Sequence, residues 1–431
     1  MITLKKQHQG YEKYKNASVQ WLEQIPNSWE FRRAKFIFRQ MRRQANENDE
    51  IITAFRDGVV TARKNRREEG FTNAIQEIGY QGIRSGDLVI HGMDGFAGAI
   101  GVSDSDGKAS PVYSVCSAIL DVSNNYYSYL LRYLAKNNYL LSLAKGIRER
   151  STDFRFKEFA ELFLPIFSRH EQSLIASYLD EKCALIDRII EDKKKQIEIL
   201  QEQRAAIINQ AVTKGLGEKV EMKESGVEWI GQMPKPWDIK KLKTVFRFEK
   251  GKRAGLFTKE YVSDQKNIGE YPVYSGQTED EGVMGRINSY IYDLDDTIFT
   301  TTVGAKVMTP MIIGGKFSLS QNCVLFIKQD KKIDVRYFYY QLFPMFKWEK
   351  DSIPSHMQPS LRVSDLNKYS IAFPAYEEQV KIANYIEEKT KFIDEFSKEI
   401  ERSISLLNEY KNSLISHMVT GKIKAPTHDH V

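Results

Sequence analysis

Arginine and lysine are concentrated in two stretches that lie at corresponding places in the two halves of the chain. The chain has 431 residues and a formal net charge of only +6 at pH 7, so total charge says little about its partners. The local density is more informative, because lysine and arginine bind phosphate oxygens. The two stretches are Arg32, Arg33, Lys35, Arg39, Arg42 and Arg43, without an acidic residue, and Lys240, Lys241, Lys243, Arg247, Lys250, Lys252 and Arg253, interrupted only by Glu249. They could bind the backbone of a nucleic acid.

Individual contact residues are chosen from these stretches and from basic or polar segments that follow them. The candidates for phosphate contacts are Arg63, Lys64, Arg66 and Arg67, then Arg148, Arg150 and Arg155, in the first half, and Lys250, Lys252, Arg253 and Lys306 in the second. A polar loop bracketed by prolines adds Ser355, His356 and Gln358, which could reach base edges. A solubilising role is an equally good interpretation of any single basic residue, and a plain surface loop is the favoured interpretation of the polar one.

Residue patterns typical of catalysis are missing. The chain has no G-x-x-x-x-G-K-[S/T] loop, no Asn-Pro-Pro or Asp-Pro-Pro motif of amino-methyltransferases and no H-E-x-x-H pair. Its seven histidines do not cluster, and Cys116, Cys183 and Cys323 are too far apart for a metal site or a disulfide framework. We therefore expect no catalytic residue, no metal and no cofactor on this chain.

The chain also lacks the apolar segments that direct a protein to or across a membrane. Its first residues contain no signal-like apolar stretch, and no run of about 18 apolar residues follows. We expect a cytoplasmic protein.

An internal duplication dominates the sequence. The segment from Val19 to Trp29 returns 208 residues later as Val227 to Trp237, with Val, Trp, Gln, Pro and Trp in register. A second shared segment, Glu-Gln-x-x-Ile-Ala-x-Tyr, begins at Glu171 and returns at Glu378, 207 residues later. The stretches between these segments, roughly 40–165 and 250–374, are only faintly alike. Two similar frames therefore enclose two divergent inserts.

Each frame ends in a long helix whose start and stop are marked in the sequence. Ser168 with Glu171 forms a capping box, Pro374 precedes the second helix, and Gly215 and Gly421 end the two helices. Apolar residues recur every seven positions, which predicts a coiled-coil seam. The seam residues are Leu179, Ile186, Leu200 and Ile207 in the first helix, with Lys193 interrupting them, and Ile386, Ile393, Ile400, Leu407 and Leu414 in the second. The cores of two ordinary helical domains are the alternative.

The inserts mix short β-branched segments with helical ones. Thr297–Val303 and three segments between residues 86 and 120 have strand composition, whereas Tyr126–Lys145 and Val335–Trp348 have the length and spacing of helices. The predicted fold class is α+β. Two α+β domains, 1–165 and 216–374, are each followed by a long helix, in 166–215 and 375–431, and the two helices pack as an antiparallel coiled coil.

This layout resembles the DNA-specificity subunits of type I restriction-modification systems over nearly all of residues 18–424. The order of the motifs, found twice, carries the resemblance: Leu164-Pro165 or Phe373-Pro374, then Glu-Gln, then Ile-Ala. Stretches such as Gly269–Gly276 are also similar to recurrent parts of the family's recognition domains. One departure is that Glu171 lies six positions after Pro165 but Glu378 only four positions after Pro374, so the two helix starts differ.

The resemblance implies the partners and the cofactors. The chain would be a non-catalytic subunit that reads a bipartite target in double-stranded DNA, with the helices fixing the distance between the two parts. Modification subunits, two per chain, would use S-adenosylmethionine to methylate adenine, and restriction subunits would use ATP and magnesium. No membrane partner is implied. The alternatives are an elongated two-headed scaffold that binds proteins but not DNA, and a nuclease or transposase component acting alone, for which the sequence has no convincing acidic metal-binding cluster.

Overall fold

The chain folds into two compact units that share both long helices. The computed structural model describes residues 9–66, 78–143, 153–217, 219–276, 280–304, 306–354 and 356–426. One unit comprises Met1–Asp192 with Arg402–Val431, and the other comprises Lys193–Glu401. The sequence-derived domain limits keep each long helix whole, whereas these units divide each helix between them.

The first half of the chain is built from short strands around one helix of moderate length. A hairpin (β1–β2) and a strand pair (β3–β13) form the frame, and the insert contains sheets of order β10-β9-β12-β4 and β11-β8-β5 and the hairpin β6–β7. The strands are β1 Tyr14–Val19, β2 Leu22–Pro26, β3 Glu30–Arg33, β4 Phe38–Gln40, β5 Arg43–Gln44, β6 Ile52–Ala54, β7 Val60–Ala62, β8 Gln81–Ile83, β9 Leu88–His91, β10 Ile100–Val102, β11 Gly107–Ala109, β12 Tyr113–Ala118 and β13 Phe163–Ile166. The helices are α1 Asn124–Lys136, α2 Tyr139–Leu143, α3 Phe156–Ala160 and α4 Arg169–Lys214.

The second half repeats the frame around a larger sheet. Its hairpin is β14–β15, its frame pair is β16–β23, and its insert is one sheet of order β17-β22-β20-β21-β18-β19. The strands are β14 Met222–Glu224, β15 Gln232–Pro234, β16 Asp238–Lys241, β17 Phe246–Lys250, β18 Ile268–Tyr274, β19 Val283–Ile287, β20 Tyr292–Thr301, β21 Pro310–Leu319, β22 Cys323–Lys328 and β23 Ser370–Phe373. The helices are α5 Leu242–Val245, α6 Lys259–Ser263, α7 Val335–Asp351, α8 Val363–Leu366 and α9 Tyr376–Val419.

The two inserts share a three-stranded element despite their divergent sequences. The antiparallel order β4-β12-β9 in the first corresponds to β17-β22-β20 in the second. In both inserts, the segment just before a short helix, α3 or α8, is hydrogen-bonded to the residue that follows the third strand, β9 or β20. Phe154 donates its N–H to the Gly92 carbonyl at 2.9 Å, and Leu361 donates to Thr302 at 2.8 Å. The duplication therefore extends into the inserts as backbone geometry.

The repeated tryptophans Trp29 and Trp237 anchor the frames. Trp29 is fully buried and stacks on Phe167 with ring centroids 3.8 Å apart. Trp237 is 1% exposed and meets Tyr337 edge to face. Aromatic side chains of this size supply much of the apolar area that a small domain buries. The repeated Trp positions therefore serve the core.

The long helices pack as the predicted antiparallel coiled coil. In the first unit Lys411 of α9 lies 2.6 Å from Asp187 of α4, and in the second Arg204 of α4 lies 2.8 Å from Asp394 of α9. The start of each helix thus faces the end of the other. Six seam residues are buried and three are half-buried. The buried ones are Leu179, Ile186, Ile386, Ile393, Ile400 and Leu414, and the half-buried ones are Leu200, Ile207 and Leu407.

One predicted helix is divided in the structure. Residues 126–145 were expected to form a single helix, but α1 ends at Lys136 and α2 begins at Tyr139. Asn138 between them has φ of 60°, a left-handed conformation that asparagine tolerates better than most residues and that interrupts a helix. By contrast, α7 continues through Pro344 to Asp351, beyond its predicted end.

Candidate nucleic-acid interface

Basic residues collect at the same end of the shared three-stranded element in both inserts. In the first, Gln40 of β4 pairs with Cys116, Met41 donates its N–H to the Val115 carbonyl of β12, and Arg42 follows. In the second, Lys250 ends β17 and pairs with Val324 at the start of β22. Arg42 and Lys250 are 208 residues apart in sequence and both are exposed. Each insert therefore offers a cation at the same position of this edge to a nucleic acid that binds there.

The predicted cations of the first insert carry partners of their own. Lys64 is 2.6 Å from Glu50, and Arg66 forms a bidentate pair with Asp57 while its guanidinium lies 4.4 Å from the Phe55 ring centroid. The hydrogen bond from Arg66 is the main cause that lowers the pKa of the Asp57 carboxyl. The charges of Lys64 and Arg66 are therefore compensated locally, which weakens both as phosphate ligands.

Of the other predicted cations in the first insert, the structure describes Arg63 and Arg155. Arg63 is half-buried, and its Nε donates to the Thr53 hydroxyl at 3.3 Å. Arg155 is exposed, and its Nε lies 2.7 Å from Asp153. Arg67, Arg148 and Arg150 lie outside the described residues.

The predicted cations of the second insert lie together at one end of its sheet. Lys250 and Arg253 are exposed and have no ion pair within the described residues, whereas Lys252 is 3.3 Å from Glu249. The Lys306 carbonyl accepts the Thr301 hydroxyl, and Thr301 pairs with Cys323 at the start of β22. The chain at Lys306 therefore reaches the end of the sheet where Lys250 lies. His356 and Gln358 are exposed, and Ser355 lies outside the described residues.

A cavity of about 680 Å³ in the first insert brings together basic residues that the sequence left unselected. Among the described residues, its walls include the cations Arg42, Arg43, Arg155 and Lys157, and no aspartate or glutamate. Only Arg155 was a predicted contact residue. Arg42 and Arg43 belong to the first basic stretch, but nothing in the sequence connects them with Lys157, more than a hundred residues away.

A buried glutamine fixes each insert to its long helix and explains the repeated Glu-Gln motif. Gln172 is fully buried, accepts the Ser123 N–H at 2.8 Å and donates to the Phe167 carbonyl at 3.1 Å. Ser123 is the residue that caps α1. The same side chain therefore joins the start of α4 to the start of the insert's helix.

The second copy of this contact has the same form. Gln379 is fully buried, accepts the Asp334 N–H at 3.1 Å and donates to the Pro374 carbonyl at 3.0 Å, and Asp334 caps α7. We call these two contacts the glutamine clamps. The sequence identified the motif but not this role, because the partners are 49 and 45 residues away.

Neither metal-binding nor membrane-spanning features occur in the described part of the chain. No group of three or more His, Cys, Asp or Glu residues there could hold a metal ion. No helix among the same residues is long and apolar enough to cross a bilayer. Cys116 and Cys323 are buried in apolar surroundings, and burial raises the pKa of the Cys323 thiol to about 12.

Two divergent inserts on one repeated frame, each with a cation at the same sheet edge, are the arrangement that a protein with two DNA-recognition domains requires. Residues 234–406 match the family model of the type I restriction modification DNA specificity domain. The second half of the chain therefore carries a DNA specificity domain of this kind, in agreement with the resemblance seen in the sequence.

Individual relatives extend the match into the first half. The specificity subunit of the type I restriction enzyme MjaVIII from Methanocaldococcus jannaschii is 26% identical over 307 residues, which cover 67% of this chain and 68% of that protein. The putative type I specificity subunit S.MpnORF507P from Mycoplasma pneumoniae is 30% identical over 167 residues, 38% of this chain and less than half (42%) of that protein. An alignment of 307 residues is longer than either half of the chain, so it includes parts of both.

A solved structure from a type I restriction-modification system, concerned with complex assembly and conformational transition, has the same fold. Its TM-score is 0.67 at 14% sequence identity, and the match covers 93% of this chain and 99% of that chain. Likeness at this identity shows the fold alone. The predicted class, two α+β domains with long helices that pack as a coiled coil, is confirmed.

Proposed function

We propose that each domain reads one part of a bipartite DNA target while two copies of one methyltransferase subunit bind the paired long helices. The observation that carries the proposal is an exposed apolar pattern that both helices repeat at an offset of 207 residues. Leu185, Ile189 and Ile199 of α4 are 46%, 37% and 54% exposed. Their counterparts in α9, Phe392, Phe396 and Leu406, are 69%, 41% and 54% exposed.

These positions lie on one face of each helix. At about 100° per residue, positions separated by 4 and 14 residues fall within roughly 80° of one another. Eight large apolar residues on α4 and α9 are exposed. Six of them belong to this repeated set, and the other two are Tyr376 and Tyr385. An exposed apolar surface of this kind marks an interaction site.

Each unit carries one copy of the pattern, with two residues from one helix and one from the other. The first unit has Leu185 and Ile189 with Leu406, and the second has Phe392 and Phe396 with Ile199. The Phe392 and Phe396 rings stack with centroids 5.8 Å apart. Two surfaces with the same layout favour two copies of the same partner.

The partners supply the chemistry that this chain lacks. The methyltransferase subunits would bring S-adenosylmethionine, and restriction subunits would bring ATP and magnesium. The assembly would act on double-stranded DNA in the cytoplasm. The continuous helices, of 46 and 44 residues, would set the spacing between the two parts of the target.

The basic residues at the sheet edges are proposed to hold the DNA. Among the predicted contacts, Lys250, Arg253 and Lys306 are the strongest, because they are exposed and have no ion pair within the described residues. Arg155, Lys252, Lys64 and Arg66 have carboxylate partners, although an exposed ion pair contributes only about 0–1 kcal/mol and can be exchanged for a phosphate.

The test is to purify the tagged chain from its native cell and to measure the composition of the complex by native mass spectrometry. We expect two methyltransferase copies per chain, and DNA binding that is strongest on a split sequence with S-adenosylmethionine present. Phe392→Ser or Leu185→Ser should each remove one copy, and the double variant should remove both. Ile268→Ser is the matched control, because this strand residue is 58% exposed but lies outside the pattern.

Two results would contradict the proposal. Retention of both copies by the double variant would place the partner elsewhere. Recovery of the chain without a methyltransferase and without DNA affinity would instead favour the two-headed protein scaffold.

A further inference from the structure

The cavity in the first domain combines positive charge with concave shape. Its volume is about 680 Å³, and Gln40, Gln44 and Gln81 contribute amides to its walls. The part of the walls that the structure describes contains four cations and no carboxylate. Tyr80 and Phe156 supply aromatic surface beside them. Hydrogen-bond donors therefore predominate on the walls, a chemistry that suits an anion.

Two of the four cations have their charge compensated from outside the cavity. Arg43 pairs with Asp87, which is almost fully buried, and Arg155 pairs with Asp153. Arg42 and Lys157 are both exposed and have no ion pair within the described residues. Like charges that face one concave surface repel each other, and a bound anion would relieve that repulsion.

The second domain carries two of these four charges at equivalent positions, although the inserts have diverged; Arg43 and Lys157 have Gly251 and Ser364 as counterparts. Arg42 corresponds to Lys250 at the end of an edge strand, and Arg155 corresponds to Arg362, since each precedes a short helix. The matching hydrogen bonds Phe154 to Gly92 and Leu361 to Thr302 place these two segments alike on their sheets. Repetition of the charges alone suits a ligand that is the same in both domains.

We infer that this cavity binds backbone phosphates of the DNA duplex through Arg42 and Lys157, with Arg155 exchanging its Asp153 partner for a third phosphate contact. The inference rests on the proposed function, because it assigns a place to DNA that the domain is proposed to read. The sugar-phosphate backbone has the same chemistry at every sequence. The contacts therefore supply affinity and position the domain, and they leave base specificity to other residues.

The salt dependence of DNA binding distinguishes phosphate contacts from other roles. For duplex DNA, the slope of log K against log salt concentration changes by about 0.9 for each phosphate that a cation neutralises. The complex with its methyltransferase is titrated with a fluorescent duplex of random sequence and with one that carries the methylated sequence of its own host. Arg42→Ala and Lys157→Ala should each reduce the slope by about 0.9 and weaken both duplexes by the same factor.

Arg56→Ala is the control variant. Arg56 lies in the same domain, is 69% exposed at its side chain and pairs with Asp94, but it does not line the cavity. Arg56→Ala should leave the slope as it is in the unaltered complex. Arg42→Lys, which keeps the positive charge, should restore the slope that Arg42→Ala reduces. All variants replace exposed side chains, and thermal melting checks that they fold.

The outcomes separate the two proposals. If the unaltered complex binds DNA but Arg42→Ala and Lys157→Ala keep its slope, the cavity is not a phosphate site while the proposed function stands. Loss of affinity for the methylated sequence alone would also overturn the inference, because it would make these residues readers of bases. If the unaltered complex binds neither duplex, both proposals fail.

Discussion

Replacing Gln379 by leucine should loosen the junction between the second domain and its long helix. The change removes the acceptor of the Asp334 N–H and the donor to the Pro374 carbonyl, at 3.1 and 3.0 Å, while nearly preserving the volume of a fully buried side chain. A buried polar group left without a partner costs about 1–3 kcal/mol, so two cost about 2–6 kcal/mol. The additional apolar atoms offset part of this, at about 0.8 kcal/mol per buried methylene. We expect a net loss of about 2–4 kcal/mol.

Amide hydrogen exchange is the appropriate measurement, because a chain of several domains does not unfold in a single two-state step. A loss of about 2–4 kcal/mol corresponds to exchange about 30 to 1,000 times faster, at 1.4 kcal/mol per factor of ten. The acceleration should be largest at Asp334 and in the first turn of α7. Gln172→Leu should have the same effect at Ser123 and the first turn of α1, because its two bonds are equivalent.

The control is Gln210→Leu, which makes the same substitution at an exposed position of α4 in the same unit. It should leave the exchange of α7 unchanged. If Gln379→Leu left the protection of Asp334 and α7 as it is in the unaltered chain, the clamp would be dispensable. The repeated Glu-Gln motif would then need another explanation.

Three further perturbations test other parts of the structure. Gly421→Ala should lower the thermal midpoint more than Gly231→Ala. Both glycines have positive φ, near +70° and +65°, but only at Gly421 would the added Cβ lie 2.5 Å from Pro26, and strain of this kind costs about 1–3 kcal/mol. Equal midpoints for the two variants would refute the steric argument. Arg66→Ala should raise the pKa of Asp57 towards its ordinary value in a carboxyl NMR titration, because the hydrogen bond from Arg66 is the main cause of the lowering. The stabilisation from ionised Asp57, present above its unfolded pKa and lost as pH falls through the lowered folded one, should shrink in the variant, and an unmoved midpoint would assign the shift to another group. Deleting four or more residues from the middle of α4 or α9 should change the spacing between the two methylated half-sites while both stay readable; an unchanged methylation pattern would refute the role of the helices as a spacer.

Features marked by local sequence signals could be predicted, and features assembled from distant segments could not. Ser168 and Gly215 mark the ends of α4 by capping chemistry, and Glu171 accordingly donates its N–H to the Ser168 hydroxyl at 3.3 Å. The seven-residue spacing likewise identified the seam. By contrast, Arg66 meets Asp57 only because a hairpin folds one onto the other, so its compensated charge was not visible in the sequence.

The cavity shows the same limit more clearly. Its walls come from residues 40–44, 79–81, 111–114 and 155–157, which share no motif. Within the first basic stretch, every cation looked alike as a phosphate ligand. The fold distinguishes them, because Arg43 turns to the buried Asp87 while Arg42 remains without an ion pair in the described chain. Charge compensation is a property of tertiary contacts, and composition alone does not reveal it.

Repetition also restricts where base specificity can reside. A side chain that occupies equivalent positions in both domains presents similar chemistry to both halves of the target, so it cannot distinguish halves that differ in sequence. Arg42 with Lys250 and Arg155 with Arg362 therefore suit the phosphate backbone, which both halves share. The side chains that read bases must come from walls that are not repeated. In the first domain these include Gln44, whose counterpart 208 residues later is Lys252. An amide can form two hydrogen bonds with an adenine edge, whereas a lysine cannot. Exchanging Gln44 and Lys252 should therefore alter the sequence preference of DNA binding. The salt dependence of binding separately identifies the contacts to the phosphate backbone.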